Sequence, residues 1–485
     1  MNIKLKNYKF IIFITVLFFG VFGLAQNSQA AEYYASPNGL DSNCSDVSPC
    51  SLTTGIGKLF AGDTLLLKDG IYNQSAYVTT SGTSKAYITI KAQNDGQATI
   101  RVSGSGTPAC YLYSVNYINL EGIICEGMGP SWGNTLLISD GNYINVKRVS
   151  TYYLNDEISS GITLSGGSHI LIEDCVIKPS TIGSVINLYE SSYTTVRRTA
   201  VIIDKTASSQ RAISLYGADN CTIENNVVLN KHSECYIMGI GIWANTYNET
   251  ANNNKFYGNV VHNMNTWAYI VASATNLITG NEFYNNVAID SDRGFYQRAD
   301  SNLTANNFTI VGATNQDFVQ EQDALTKDPD WGMTGIVKDS SFITSGTGVT
   351  KAVTDPVGTT ITSRYNNFYN VITQYLGTVL DKTGDATTNP SYDTATFGKG
   401  AYLMIPPALQ GQGEGGADIG AEVLYRYVDG VLTGTPLWPW PMEERIKNET
   451  GYSVTYESGG GLWKTLDGVY ADTTPPSAPT GLNVL

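Results

Sequence analysis

One short pattern returns along this chain at almost constant spacing, and few architectures can accommodate it. Asn116-Tyr-Ile-Asn-Leu120 is followed by Asn142-Tyr-Ile-Asn-Val146, Ser168-His-Ile-Leu-Ile172, Tyr193-Thr-Thr-Val196 and Asn220-Cys-Thr-Ile223, with weaker echoes at Asn276-Leu-Ile278 and Asn302-Leu-Thr304. Each is a short segment, apolar on alternate residues, which is the period of a strand. Ile118, Ile144 and Ile170 fall 26 residues apart; Thr194 follows after 24 and Cys221 after 27. A unit of roughly 25 residues holds two or three short strands and cannot bury its own apolar face. Stacked at the ~4.8 Å spacing of paired strands, successive units satisfy their backbone groups and share one core. Helical periodicity is nearly absent between residues 85 and 320. Leucine-rich repeats share the period but carry a Leu/Asn grid that is missing here, and propeller units are longer, about 40 residues. The expected fold is all-β: a single-stranded right-handed parallel β-helix (solenoid) with N- and C-terminal caps, since a bare solenoid exposes core and unpaired edges.

The first 30 residues stand outside that pattern. Lys4, Lys6 and Lys9 precede a nearly uncharged apolar run, Phe10 to Ala25, and small residues follow at Ser28-Gln29-Ala30. This reads as a secretory signal peptide, removed on export, so the mature chain is expected to be secreted, extracellular and not membrane-bound. Export in turn suits Cys44 and Cys50, in a Ser/Asp/Pro loop, to a loop-closing disulfide. Cys110, Cys125, Cys175, Cys221 and Cys235 lie in strand-like contexts and are expected mostly as small core residues. The excess of acid, 43 Asp and Glu against 29 Lys and Arg, weighs against nucleic acid as a partner. An acidic ligand would need a local basic strip or a bridging cation.

Both ends carry recognisable words. Tyr33-Tyr-Ala-Ser-Pro-Asn-Gly39, a short amphipathic stretch from Ser51 to Phe60, and Ala61-Gly-Asp-Thr-Leu-Leu-Leu67 before Gly70-Ile-Tyr72 resemble the entry of secreted β-helix proteins of the pectate-lyase-like superfamily. At the back, Gly416-Ala-Asp-Ile-Gly-Ala421 and the segment from Leu437 to Ile446 are similar to tails that close bacterial β-helix proteins. Trp438 and Trp440 are expected to lie over the last coil. The segment from Asp472 to Val484 resembles the onset of a fibronectin type III domain. The expected organisation is a signal peptide (1–30), a cap and first coil (31–84), the β-helix with irregular loops after 312 (85–425), a C-terminal cap (426–470), and a linker with a truncated fibronectin type III onset (471–485).

The resemblance implies a carbohydrate ligand, usually an acidic polysaccharide, bound along a groove on one face. Its members include calcium-dependent lyases, hydrolases, epimerases and non-catalytic surface proteins, and fold does not choose among them. A ruler is available because stacked units bring equal sequence offsets together. Asn226, Asn259, Asn281 and Asn307, following Thr199, are expected to form one amide column at a bend. Counted from it, Lys205 and Arg211, then Lys231, His232 and Glu234, then Trp267, then Asp290, Asp292 and Arg293 fall on one strip ~20 Å long. Lys231 or His232 would serve as the base of a β-elimination, with Arg293 stabilising charge. Asp290 and Asp292 would hold Ca2+, and Lys205, Arg211 and Trp267 would bind sugar. Glu234 with Asp290 or Asp292 would supply the carboxylate pair of a glycoside hydrolase. The plainer readings are solvated loop charges for Lys205, Arg211 and Lys231, an internally paired loop for Asp290 to Arg293, and a loop anchor for Trp267.

The departures from the superfamily count too. The paired-Asp and Gly-His-Gly pattern of polygalacturonase-type hydrolases, a clear pectate-lyase calcium signature and the Asp-Pro-His-Asp of alginate epimerases are missing, and no catalytic residue carries over. The sequence thus predicts a secreted, monomeric carbohydrate-active protein, a polysaccharide lyase before a glycoside hydrolase. The alternative is a non-catalytic surface, adhesion or spacer β-helix.

Overall fold

The fold is seen in a computed structural model, which describes residues 30–450 apart from 105, 128–132, 154–158, 179–181, 204–208, 231–236, 245–249, 274–277, 299–300, 322–333 and 352–359. The expected signal peptide and fibronectin type III onset, together with Lys205, Lys231, His232 and Glu234, lie outside the described residues.

The chain winds into a right-handed parallel β-helix. Three parallel sheets of 13, 12 and 12 strands run its length. Sheet A begins with Glu32–Ala35, sheet B with Gly70–Tyr72 and sheet C with Ala76–Val78. Each coil contributes one strand to each in turn. Ile118, Ile144 and Ile170 pair in register on sheet A and are fully buried, so the 26-residue spacing is a vertical core stack. Larger rings fill the later coils, where Phe256 and Phe283 stack at 4.1 Å. The short helix Leu52–Gly57 starts at Ser51, whose side chain accepts from the Thr54 amide, the expected N-cap arrangement.

The amide column is present, but its membership differs from the expectation. The Oδ1 of Asn226 accepts from the Thr199 amide, that of Asn259 from Asn226, and that of Asn286 from Asn259, each at 3.0 Å. Asn281 and Asn307 do not belong to it. Asn281 receives the amide of Asn254 at 3.0 Å, and Asn254 that of Cys221 at 2.8 Å. Those three residues continue the Ile118 stack, at the entry to sheet A rather than its exit. Asn307 sits one residue before the column, in the left-handed conformation at φ 51° that it shares with Asn225 and Asn285. Loops of unequal length between the sheets spoil a fixed count.

The cysteine reading is also corrected in part. Cys44 and Cys50 form the expected disulfide, and Cys110 and Cys125 form a second, between a strand of sheet C and the next strand of sheet B. Cys175 and Cys221 are buried and free. Cys235 lies outside the described residues.

The C-terminal segment does not cover the last coil with its tryptophans. It turns back and runs along the outside of sheet B. Trp438 and Trp440 bury against Val176, Ile202, Leu229, Val260 and Val287. The return path is fastened to the left-handed corner between sheets A and B. Glu414 donates its amide to Asp339 at 2.7 Å, Asp418 accepts from Asn307 at 2.8 Å, and Tyr427 donates to Asn225 at 2.5 Å. The final helix, Glu443–Thr450, reaches the early coils, where Arg445 meets Asp95 at 3.1 Å and the Arg148 carbonyl at 2.6 Å. Among the described residues, no helix is long and apolar enough to cross a membrane.

Candidate functional site

The three outer faces of the solenoid differ in what they leave available. Sheet B is covered by the returning segment. Sheet A satisfies itself. One of its outward columns alternates in charge through Lys91, Glu121, Lys147, Glu173, Arg197 and Glu224. Lys147 and Arg197 lie 3.2 and 2.6 Å from Glu173. Burial opposes the Glu173 charge, but Arg197 and Arg198 outweigh it and hold the carboxyl down at about 2. At the edge of that face Tyr117, Tyr143, His169 and Tyr193 stack ring on ring, with centroids 4.7–5.1 Å apart and interplanar angles of 9–22°. Each ring covers one face of the next, while Tyr143 and Tyr193 stay 40% and 55% exposed.

Sheet C is different. From Ala76–Val78 through Arg293–Arg298 its strands contain no Asp or Glu, and they contain three arginines, Arg211, Arg293 and Arg298. Positions facing outward form three columns. Asn134, Ser160, Ser184, Arg211 and Met238 occupy one, and Trp267, Arg293 and Gln316 continue the same edge. Tyr77, Tyr111, Leu137, Thr163, Asn187, Ser214 and Gly241 form the middle. Tyr113, Ser139, Ser165, Tyr189 and Tyr216 form the third, which Trp243 extends.

Arg211 stands in the first of these columns, at the edge of the face. Its guanidinium carbon lies 4.6 Å from the Trp243 ring centroid and 5.5 Å from that of Tyr216, a geometry in which ring quadrupoles hold a cation. Its Nε is buried and, among the described residues, has no hydrogen-bond partner. A small depression beside it is lined by Ser214, Gly239, Gly241 and Trp243. Met238, Ile270, Tyr296 and Val319 form an apolar cluster on the same face, with Trp243 and Trp267 packed against it. Trp267 stacks on Tyr296 at 4.7 Å.

The sequence-predicted residues divide accordingly. Arg211, Trp267 and Arg293 share one edge of sheet C. Arg293 is engaged: it meets Asp292 at 3.0 Å and Gln316 at 3.2 Å, and lies 6.0 Å from the Trp267 ring centroid. Asp292 also accepts from Thr314 at 3.0 Å, so the pair is the internally satisfied loop of the plainer reading. Asp290 bonds to Lys399 of the returning segment and lies 3.5 Å from His262, whose Nε2 is 3.3 Å from the same lysine. Burial opposes its charge, but hydrogen bonds from His262 and Lys399 hold the carboxyl below its ordinary range. The two aspartates thus have separate cationic partners. Among the described residues, no group of three or more His, Cys, Asp or Glu is arranged to hold a metal. Lys205, Lys231, His232 and Glu234 belong in sequence to the connections from sheet B to sheet C and lie outside the described residues. Sequence reasoning missed Tyr216 and Trp243. Trp243 lies in a strand that is apolar on both faces, where alternation gives no signal, and Tyr216 ends the strand of Arg211, further along than the residues counted from the bend.

A family model described as periplasmic copper-binding protein (NosD) matches residues 131–315. No curated protein matches the chain. Among solved structures, a PL6 family polysaccharide lyase from Pseudopedobacter saltans is 14% identical over 75% of this chain and 94% of its own, with a TM-score of 0.52. The A-module of a mannuronan C-5 epimerase from Azotobacter vinelandii is 11% identical over 74% of this chain and 100% of its own, also at 0.52. These likenesses establish the β-helix. Of the described residues within the family match, His169 is stacked between tyrosines, His262 is paired with Asp290, and the thiols of Cys175 and Cys221 donate to backbone carbonyls. They do not form a copper ligand set.

Proposed function

We propose that this chain is an exported carbohydrate-active protein that lays an acidic polysaccharide along the outer face of sheet C. One observation carries the reading. In a chain with 43 acidic against 29 basic residues, the described strands of this sheet as far as Arg298 hold no carboxylate and three arginines. One of these, Arg211, is clamped by aromatic rings with its Nε unsatisfied. A uronate carboxylate placed there would complete a charge-assisted hydrogen bond, and a sugar ring would find apolar area on Trp243 or Trp267. Two disulfides suit an oxidising compartment outside the cytoplasm.

Cleavage by β-elimination is the chemistry this arrangement suits. Arg211 neutralises the carboxylate and acidifies the neighbouring carbon-bound proton. Lys231 or His232, from the loop entering the same sheet, removes it, a double bond forms to the adjacent carbon as its bond to the glycosidic oxygen breaks, and that oxygen leaves as a hydroxyl with a proton from water. Arg211 replaces Arg293 in this role, because Arg293 is already balanced by Asp292. Asp290 and Asp292 as Ca2+ ligands remain part of the proposal only if added Ca2+ displaces their present partners.

The test is retention and cleavage of alginate and polygalacturonate beside neutral xylan and cellulose, with and without Ca2+. The expected result is retention of the acidic polymers alone, weakened by salt, with new absorbance from unsaturated ends. Retention without cleavage leaves the binding reading and selects the non-catalytic alternative. Equal retention of neutral polymers, or none of the acidic ones, overturns the proposal.

A further inference from the structure

The candidate groove does not end at Arg211. Four and five strands earlier on the same sheet, three tyrosines stand on the outer face: Tyr77 and Tyr113 are 49% and 45% exposed, with Tyr111 beside them. Their arrangement contrasts with the other row of surface rings. On sheet A the rings lie nearly parallel and cover one another's faces. Here Tyr77 and Tyr111 are tilted by 37° at 5.2 Å, and Tyr111 and Tyr113 by 59° at 5.6 Å. Rings tilted at these angles are not stacked face to face as those of sheet A are, although Tyr143 and Tyr193 there are equally exposed.

What lies between this cluster and Arg211 is equally specific. The register runs from Tyr113 through Ser139 and Ser165 to Tyr189, itself 39% exposed. The middle column passes from Tyr111 through Leu137 and Thr163 to Asn187. Beside it run Asn134, Ser160 and Ser184, and Thr163 already bonds Asn134 at 2.6 Å. The floor is thus mostly small hydroxyl and amide side chains, with an aromatic wall at either end. Three strand steps separate Tyr113 from Tyr189, roughly 14 Å, and one more reaches Tyr216 beside Arg211.

We infer that Tyr77, Tyr111 and Tyr113 form a distal sugar-binding platform, which grips a polysaccharide several units away from the Arg211 position. This rests on the proposed groove and deepens it. Tyrosine faces take the apolar face of a pyranose, the hydroxyl and amide floor takes its hydroxyls, and the ligand is a polymer long enough to touch both ends. A short oligosaccharide held at Arg211 does not reach the tyrosines.

Binding of the full secreted chain is measured to polygalacturonate and to alginate, and to the trimer of each. Tyr77→Ala/Tyr113→Ala is expected to weaken polymer binding roughly three- to tenfold, the size of one or two aromatic contacts, and to leave trimer binding unchanged. Tyr77→Phe/Tyr113→Phe, which retains the ring faces and the packing, is expected to bind polymer as the wild type does. Arg211→Ala is expected to weaken polymer and trimer alike. If the wild-type protein binds but the alanine pair, folded by circular dichroism, binds polymer equally well, the platform is refuted and the groove stands. Failure of the phenylalanine pair to bind polymer also refutes it, because ring faces then are not what grips. If the wild-type protein binds none of the four probes, the groove reading falls and takes the platform with it.

Discussion

Arg211 is held by groups that cannot neutralise it. Two aromatic rings hold it, and among the described residues its Nε has no hydrogen-bond partner, which under the proposed function leaves it for a ligand carboxylate. Arg211→Ala should therefore weaken retention of an acidic polysaccharide by about 10- to 100-fold, the range of a hydrogen bond to a charged group. Arg211→Lys should recover part of it, since a lysine keeps the charge but not the planar stack. Affinity electrophoresis in alginate gels measures both. Glu173 is the opposite case, a buried charge held by Arg197 and Arg198. Its folded-state pKa is depressed to about 2, against roughly 4.3 in an unfolded chain. The stabilisation is fully present above the unfolded value and is lost as pH falls through the folded one, on the order of 3 kcal/mol between about pH 5 and 2. Urea midpoints measured across that window should fall for the wild type and flatten for Glu173→Gln.

The elements of this fold are columns as much as strands. Asn259 accepts from both the amide and the side chain of Asn226, and its own amide group donates to Asn286 and to the Ile223 carbonyl. Asn259→Ala leaves those buried groups without partners and should cost roughly 1–3 kcal/mol, read as a lowered urea midpoint. The apolar columns were legible from sequence because every coil obeys the same demand to fill the core; Ile118, Ile144 and Ile170 gave the period and the fold with it. The amide column was legible as a kind of device but not in its membership. Asn286 replaces Asn281 because coils are lengthened by loops of different sizes, and a side chain's place depends on the strand it follows rather than on a constant count. Of the candidate site, Arg211, Trp267 and Arg293 were found on one edge, whereas Trp243 was hidden among apolar neighbours and Tyr216 lay beyond the count from the bend. The Cys110–Cys125 pair was hidden for another reason, since it joins different sheets of the winding.

At the scale of the whole molecule, the returning segment determines which face is free. It was not legible as such: its tryptophans announce burial, but nothing in their spacing says against what. Trp438 donates its indole N–H to the Val423 carbonyl at 2.8 Å and packs on Trp440. Trp438→Ala should cost about 3–5 kcal/mol if the segment and solenoid unfold together. It should raise hydrogen exchange in the sheet B strands while leaving polysaccharide retention on sheet C unchanged.

That return path also sets an order of events during biosynthesis. A solenoid assembled coil by coil from its N-terminus presents Val176, Ile202, Leu229 and Val287 to water as each is laid down, and the residues that shield them are made last. Until Leu437 to Ile446 emerge, the nascent protein carries a long greasy stripe. A chain released early, with every coil intact but ending near residue 390, should therefore be the sticky species that precipitates or recruits chaperones, although none of its own repeating architecture is missing.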